Sequence, residues 1–281
     1  MKVGFRTRSF SRILLVVVTI HLLVNLLNFS EAFVPIPAPC TLQNKRCPIP
    51  YDKGLHGWFD NLWQNEESSS ATRQQEYPEQ YPATYDFNNV TLKEDEDDTN
   101  KILIRRLLKN TQLESRPISL VFQASQDGWT ASSFHSSVDT RGACVVLATT
   151  KDNRVVGGYN PKGWASLGGA RPSVAAFLFY SYKDSWQKLQ KVGGGGLACA
   201  SDDPSFGISF GPDGLVIPFL DENNRVAKSK LGTYYERGPQ ELPSLFPSGN
   251  AELKDVLCYT GIYGPNEEIP YSGGVLDMTS G

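Results

Sequence analysis

Three histidines occur in the chain, His21, His56 and His135, and histidine is the side chain best suited to moving protons near neutral pH. Only His135 falls in a segment that reads as a folded domain. Ser132, Ser133, Ser136 and Asp139 stand within four residues of it. A hydroxyl, an imidazole and a carboxylate are the parts of a nucleophilic hydrolytic site. His135 is therefore the one candidate centre for a hydrolytic or redox enzyme. Such sites are assembled in space and not along the chain, so no residue is assigned as catalytic. A structural, hydrogen-bonding His135 is the reading the sequence favours.

The five cysteines are Cys40, Cys47, Cys144, Cys199 and Cys258, and none stands in a C-x-x-C pair. With so few histidines beside them, no structural zinc site is expected. Cys40 and Cys47 are close enough to bridge a small loop in an oxidising compartment. Cys144 and Cys258 lie in apolar segments, where cysteine usually packs. Cys199 follows the run Gly193 to Gly196 and precedes Ser201-Asp202-Asp203, which makes it the candidate exposed redox thiol. Its acidic neighbours would raise its pKa and slow it. The four glycines lack the Lys-Ser/Thr ending of a phosphate loop, and no carboxylate pair stands out as a glycosidase dyad. No cofactor or metal is expected.

The elements that would position these residues are short strands. The chain has 281 residues with 25 Gly and 18 Pro, a composition rich in turns. At 40% hydrophobic it can bury a core, and its net charge of −3 argues against a broad phosphate-neutralising surface for nucleic acid. Ile102 to Leu108 predicts an opening helix capped by Thr99 or Asn100, with Arg105, Arg106 and Lys109 near its C-terminal end. Strands are predicted at Ile118 to Ala124, Cys144 to Thr150, Arg154 to Tyr159, Ala175 to Tyr182, Ser205 to Phe210, Leu215 to Phe219 and Leu253 to Tyr263. Gln126-Asp127-Gly128, Lys151-Asp152-Asn153 and Gly211-Pro212-Asp213-Gly214 supply turns. Thr130 to Ser137 suits a helical turn with Phe134 buried. Gly157 and Gly158 point to a bulge or to tight packing beneath Trp164. Successive strands with turns between them imply packed antiparallel sheets.

Ahead of this domain, Lys2, Arg6, Arg8 and Arg12 precede an apolar run from Ile13 to Leu27, too short for a membrane span and suited to a signal peptide cleaved after Ala32. Ala32-Phe33-Val34-Pro35 resembles the junction of bipartite leaders that deliver proteins to plastids of secondary-endosymbiotic algae. Residues 33–99 read as a polar spacer. Within it are the acids Glu94 to Asp98, the sequon Asn89-Val90-Thr91 as a glycosylation candidate at Asn89, and Phe59, Leu62 and Trp63 at helical spacing. The domain is placed at 100–267 and a tail at 268–281. The expected address is the secretory pathway, ending in a plastid, a lumen or outside the cell, with membrane contact only through the leader.

Asp127-Gly128, Phe134-His135, Gly157-Gly158-Tyr159, Trp164, Phe177-Leu178-Phe179, Phe206-Gly207 and Asp213 to Ile217, in this order and spacing, resemble the TLDc family, which includes oxidation-resistance proteins. Ser229 to Tyr235 resembles its serine-leucine-glycine-tyrosine segment, and the likeness spans about residues 101–265. The resemblance implies a mostly β fold with flanking helices (α+β), built as a two-sheet antiparallel β-sandwich. It implies protection against oxidative damage without fixing the route, and the first reading is a non-catalytic protein that acts by binding an unknown protein partner. Some members bind the vacuolar proton-pumping ATPase, a partner for this chain only if its domain is cytosolic. Where the family often has Glu-Val-aromatic in a late strand, this chain has Leu257-Cys258-Tyr259, so any role of that glutamate is not carried over. A carbohydrate- or protein-binding module using exposed Trp129 and Trp164 is a further alternative.

Overall fold

The structure is a computed structural model that describes residues 72–90, 99–182, 185–193, 201–221 and 223–271. The leader, Cys40, Cys47, the cluster at Phe59, Leu62 and Trp63, the Glu94–Asp98 acids and Cys199 lie outside the described residues. In chain order the elements are α1 (Thr99–Leu107), β1 (Ile118–Gln123), the single turn α2 (Ala124–Asp127), α3 (Ala131–Val138), β2 (Cys144–Thr150) and β3 (Val155–Asn160). There follow β4 (Phe177–Tyr182), β5 (Ser185–Leu189), β6 (Ile208–Phe210), β7 (Leu215–Ile217), β8 (Val226–Lys228) and β9 (Asn250–Gly261).

The fold is mostly antiparallel β with flanking helices. Its strands run in the order β5-β4-β3-β2-β9-β8-β7-β6, with β1 also on β9. The two expected sheets are thus joined. The twelve-residue β9 pairs through its first residues with β8 and through its later ones with β1 and β2. It passes from one layer to the next at a register shift, where Thr149 pairs with Asp255 and Thr150 with Leu253. The layers still face each other. Val146, Leu178 and Val256 from one side share a buried cluster with Ile208, Phe210, Leu215 and Ile217 from the other, closed at one end by Phe134 and Val138 of α3.

The opposite face of β2–β4 is covered too. Ile104, Leu107 and Leu108 at the end of α1 pack with Leu113 on Val145, Leu147, Tyr159, Phe177 and Phe179. Each such aliphatic side chain contributes roughly 1.5–3 kcal/mol by burial. With both faces covered, β2 is apolar nearly throughout instead of alternating.

The paired glycines need correction. The β2–β3 register runs without a bulge, and the rings that demand glycine are not Trp164. A Cβ on Gly157 would lie 2.1 Å from the Val146 carbonyl and 2.5 Å from Phe179, and one on Gly158 would lie 2.6 Å from Phe210. These two residues let β3 lie flat between aromatic rings on both faces.

Residues 81–90, assigned by composition to the spacer, lie along the domain. Ala83 is buried and Phe87 packs on the outer cluster. Lys188 Nζ donates to the Asp86 carbonyl at 2.8 Å, and Asn88 N donates to the Arg106 carbonyl at 2.9 Å. Their scattered aromatics give no period that sequence could detect. At the other end, Arg171 Nη2 donates to the Tyr271 carbonyl at 2.6 Å, holding part of the supposed tail.

Candidate functional site

The site gathers at one end of the sandwich, around His135. Thr130 caps α3, its Oγ1 accepting from Ser133 N at 3.2 Å, which satisfies a backbone donor that no helical carbonyl can reach. The helix places Phe134 wholly in the core, packed edge-on against Phe122 and Trp164. It leaves His135 buried beside the 201–207 turn, and Asp139, one turn on, reaches back to it.

His135 Nδ1 is 2.8 Å from Asp139 Oδ1 and 3.1 Å from Ser166 Oγ. Its Nε2 is 2.9 Å from the Phe206 carbonyl. Ser166 Oγ–H donates to Asp139 Oδ2 in a short hydrogen bond. Both ring nitrogens therefore face acceptors, and satisfying both requires the doubly protonated imidazolium. Burial pulls the His135 pKa down, but hydrogen bonds to Asp139 and the Phe206 carbonyl, with the nearby Asp139 charge, outweigh it and hold it above its ordinary value.

The three side chains are those of a hydrolytic triad in a different arrangement. A triad has carboxylate and nucleophile on opposite ring nitrogens. Here Asp139 and Ser166 share Nδ1, the serine proton is committed to Asp139, and Nε2 is held by a backbone carbonyl. An imidazolium has no lone pair with which to take a proton. Two clefts open elsewhere, of about 880 and 690 Å³, the first lined by residues including Arg116 and Tyr263 and the second by residues including Tyr85 and Lys188. Neither is lined by His135, Asp139 or Ser166.

The loop carrying Ser166 is clasped from beneath. Asp202 is fully buried, and its carboxylate accepts from the amides of Ala165, Ser166 and Leu167 at 2.8–2.9 Å. Trp164 Nε1 donates to the Ser201 carbonyl at 3.1 Å, and Ser166 has a left-handed φ of 56°. A buried carboxylate stabilised by three amide donors, and a left-handed non-glycine residue held by them, make this end of the molecule stiff.

Of the hydroxyls and acids near His135 in sequence, only Asp139 meets the ring. Ser132 and Ser136 are exposed, and Ser133 bonds the Thr130 cap. Ser166 and Asp202 were not legible as partners, since 31 and 67 residues separate them from His135. The other motif residues are distributed through the fold. Asp127 Oδ2 accepts from Gln123 N at 2.7 Å, and Gly128 (φ 105°) ends α2. Phe206 supplies the carbonyl to His135. A Cβ on Gly207 would lie 2.3 Å from the Ile217 carbonyl. Asp213 sits in the β6–β7 turn, its main-chain carbonyl accepting from Lys230 N at 2.7 Å. Asn89 is exposed. Trp129 and Trp164 are 2% and 1% exposed, which removes the aromatic surface that a sugar-binding face would have needed.

Cys144 and Cys258 are buried free thiols. Among the described residues no group of three or more His, Cys, Asp or Glu side chains is placed to hold a metal, and no helix is long and apolar enough to cross a membrane.

A mostly antiparallel β domain with flanking helices, its imidazole fixed between a carboxylate and a backbone carbonyl, is a scaffold class defined by packing and locked loops. The chain belongs to the TLDc domain family, whose model matches residues 96–254, from the start of α1 into β9. No curated protein matches it.

Proposed function

We propose that this TLDc chain acts by binding another protein in protection against oxidative damage, without a catalytic step of its own, in a compartment reached through the secretory pathway. Family membership supports the protective role. The observation that carries the non-catalytic part is the closed hydrogen-bonding of His135, which leaves neither ring nitrogen free to accept a proton. The basic flank and apolar run at the N-terminus support translocation, and Phe33 after the expected cut supports a plastid. The proton-pumping ATPase is a partner only for a cytosolic domain, because its soluble sector faces the cytosol.

The test is complementation. Cells lacking the protein receive the full chain or its Ser166→Ala variant and are challenged with peroxide. Both are expected to restore survival equally. Loss of protection by a folded Ser166→Ala protein would establish a hydroxyl-dependent reaction and end the non-catalytic reading. A C-terminal fluorescent fusion with and without residues 1–32 tests the compartment. A luminal or plastid signal that vanishes on truncation is expected, and cytosolic signal in both would make the pump the leading partner.

A further inference from the structure

Cys144 is the first residue of β2, and Cys258 lies three residues before the end of β9. The register sets Cys144 opposite Thr260 and Val146 opposite Cys258. The two cysteines are therefore diagonal neighbours on adjacent strands. Both belong to the same inner cluster and both are fully buried free thiols. Two of the five thiols thus lie side by side in the buried cluster, near the ends of their strands.

We propose that Cys144 and Cys258 are a redox pair that closes to a cross-strand disulfide on reaction with a hydroperoxide. This inference goes beyond the binding role above and does not rest on it. One thiol loses its proton and attacks the peroxide. An S–O bond forms, the O–O bond breaks, and the departing oxygen takes that proton to leave as alcohol or water. The second thiol then attacks the sulfenic sulfur. The S–S bond forms, the S–O bond breaks, and hydroxide leaves with the second proton as water. Two thiols are oxidised by two electrons, and one hydroperoxide is reduced to alcohol and water.

The geometry permits closure with a small movement. A disulfide spans Cα separations of roughly 4.4–6.8 Å, and diagonal neighbours in a sheet stand roughly 7–8 Å apart. The pinch needed is therefore about an ångström. The place for it exists. The β1–β9 pairing shifts register between Leu120 and Phe122, opposite Tyr259 and Cys258, and a bulge adds local twist and loosens the ladder beside Cys258. Burial, and then the neighbouring Cys144, push the Cys258 thiol well above its ordinary pKa, which slows its reaction with any oxidant while the strands stay closed, and the same burial shuts out bulky reagents. A water-sized neutral oxidant, entering during local opening of the strand ends, is the reagent that suits it.

The full-length protein is treated with graded hydrogen peroxide, unfolded in guanidinium with N-ethylmaleimide, and digested with trypsin. Cys144 falls in the peptide 142–151 and Cys258 in 255–281. The expected result is a species joining the two, lighter than the separate peptides by the two thiol hydrogens, rising with peroxide dose and lost on treatment with dithiothreitol. Cys144→Ala is expected to abolish it. Recovery of both peptides singly with maleimide attached at peroxide doses that oxidise a control dithiol overturns the proposal. So does linkage of either peptide to Cys40, Cys47 or Cys199 in place of its strand neighbour. The wild-type readout stands even if the variant fails to fold.

Discussion

Replacing His135 with glutamine distinguishes a buried cation that staples loops together from a group that moves protons. The imidazole is 7% exposed and bonds Asp139 at 2.8 Å and the Phe206 carbonyl at 2.9 Å. A hydrogen bond to a charged group contributes roughly 1.5–3 kcal/mol and a neutral one about 1. Glutamine can restore one neutral contact, so His135→Gln is expected to cost about 1.5–3 kcal/mol at pH 6. For a domain of this size the melting temperature should fall by roughly 3–12 °C. The pH dependence identifies the cause. Unfolded histidine titrates near about 6.5, and the folded value is higher. The folded state thus holds its proton more tightly. Its contribution is fully present below about pH 6.5 and is lost as pH rises through the folded value. The assay is urea unfolding of both proteins at pH 6, 7 and 8, followed by the fluorescence of buried Trp129 and Trp164. The gap between wild type and variant should narrow with rising pH. A constant or widening gap refutes the imidazolium staple.

Three further predictions follow from packing and charge. Gly158→Ala puts a methyl 2.6 Å from the Phe210 ring and should cost about 1–3 kcal/mol. Phe210→Leu in the same chain should recover part of that loss, and additive effects in a double-mutant cycle would contradict the contact. Asp202→Ala removes the acceptor of three amides and should cost about 3 kcal/mol or more, with new protease cleavage at 165–167. Unchanged cleavage would show that the clasp is not what orders that loop. Burial chiefly depresses Lys188 from 10.5 to about 8, with Asp86 and Glu114 opposing. The folded state holds this proton less tightly, so its penalty is full below pH 8 and relieved as pH rises beyond it. Lys188→Met should therefore stabilise by about 1–3 kcal/mol at pH 7. The gain should shrink in alkali, and urea titrations at pH 7 and 9.5 check both its size and its direction.

The parts of the fold legible in sequence are those where a local rule and the tertiary structure agree. The β2–β3 hairpin was plain because Thr150-Lys151-Asp152-Asn153 is a turn by itself, with Asn153 left-handed at φ 61°. The stripe at Ile104 and Leu107 fixed α1. Two strands were missed. β5 (Ser-Trp-Gln-Lys-Leu) buries the stem of a lysine, and β8 is three residues long, so neither offers a periodic apolar signal. Ser205 to Phe210 has the pattern of one strand, but Phe206 N bonds the Asp203 carbonyl and the first three residues form the turn that presents a carbonyl to His135. The joining of two layers through β9 was invisible because it depends on which partner each half of one long strand meets, and not on the strand's own residues.

The site was half legible for the same reason. Asp139 lies one helical turn from His135, where local spacing predicts contact. Ser166 arrives from a loop whose position depends on Asp202 and Trp164. Converting this cluster into a working triad would require Ser166 Oγ to cross from the Nδ1 side of the ring to the Nε2 side, where the Phe206 carbonyl stands. That movement would break the serine bond to Asp139, and any shift of the loop that carried it would work against the amide contacts to Asp202 and the Trp164 bond to Ser201. Loss of the Trp164 or the Asp139 contact alone leaves the loop held by three amides on Asp202, and only loss of Asp202 releases it. The arrangement is overdetermined as a structural lock. A single substitution at this end should therefore change the stability of the domain before it changes any chemistry the domain performs.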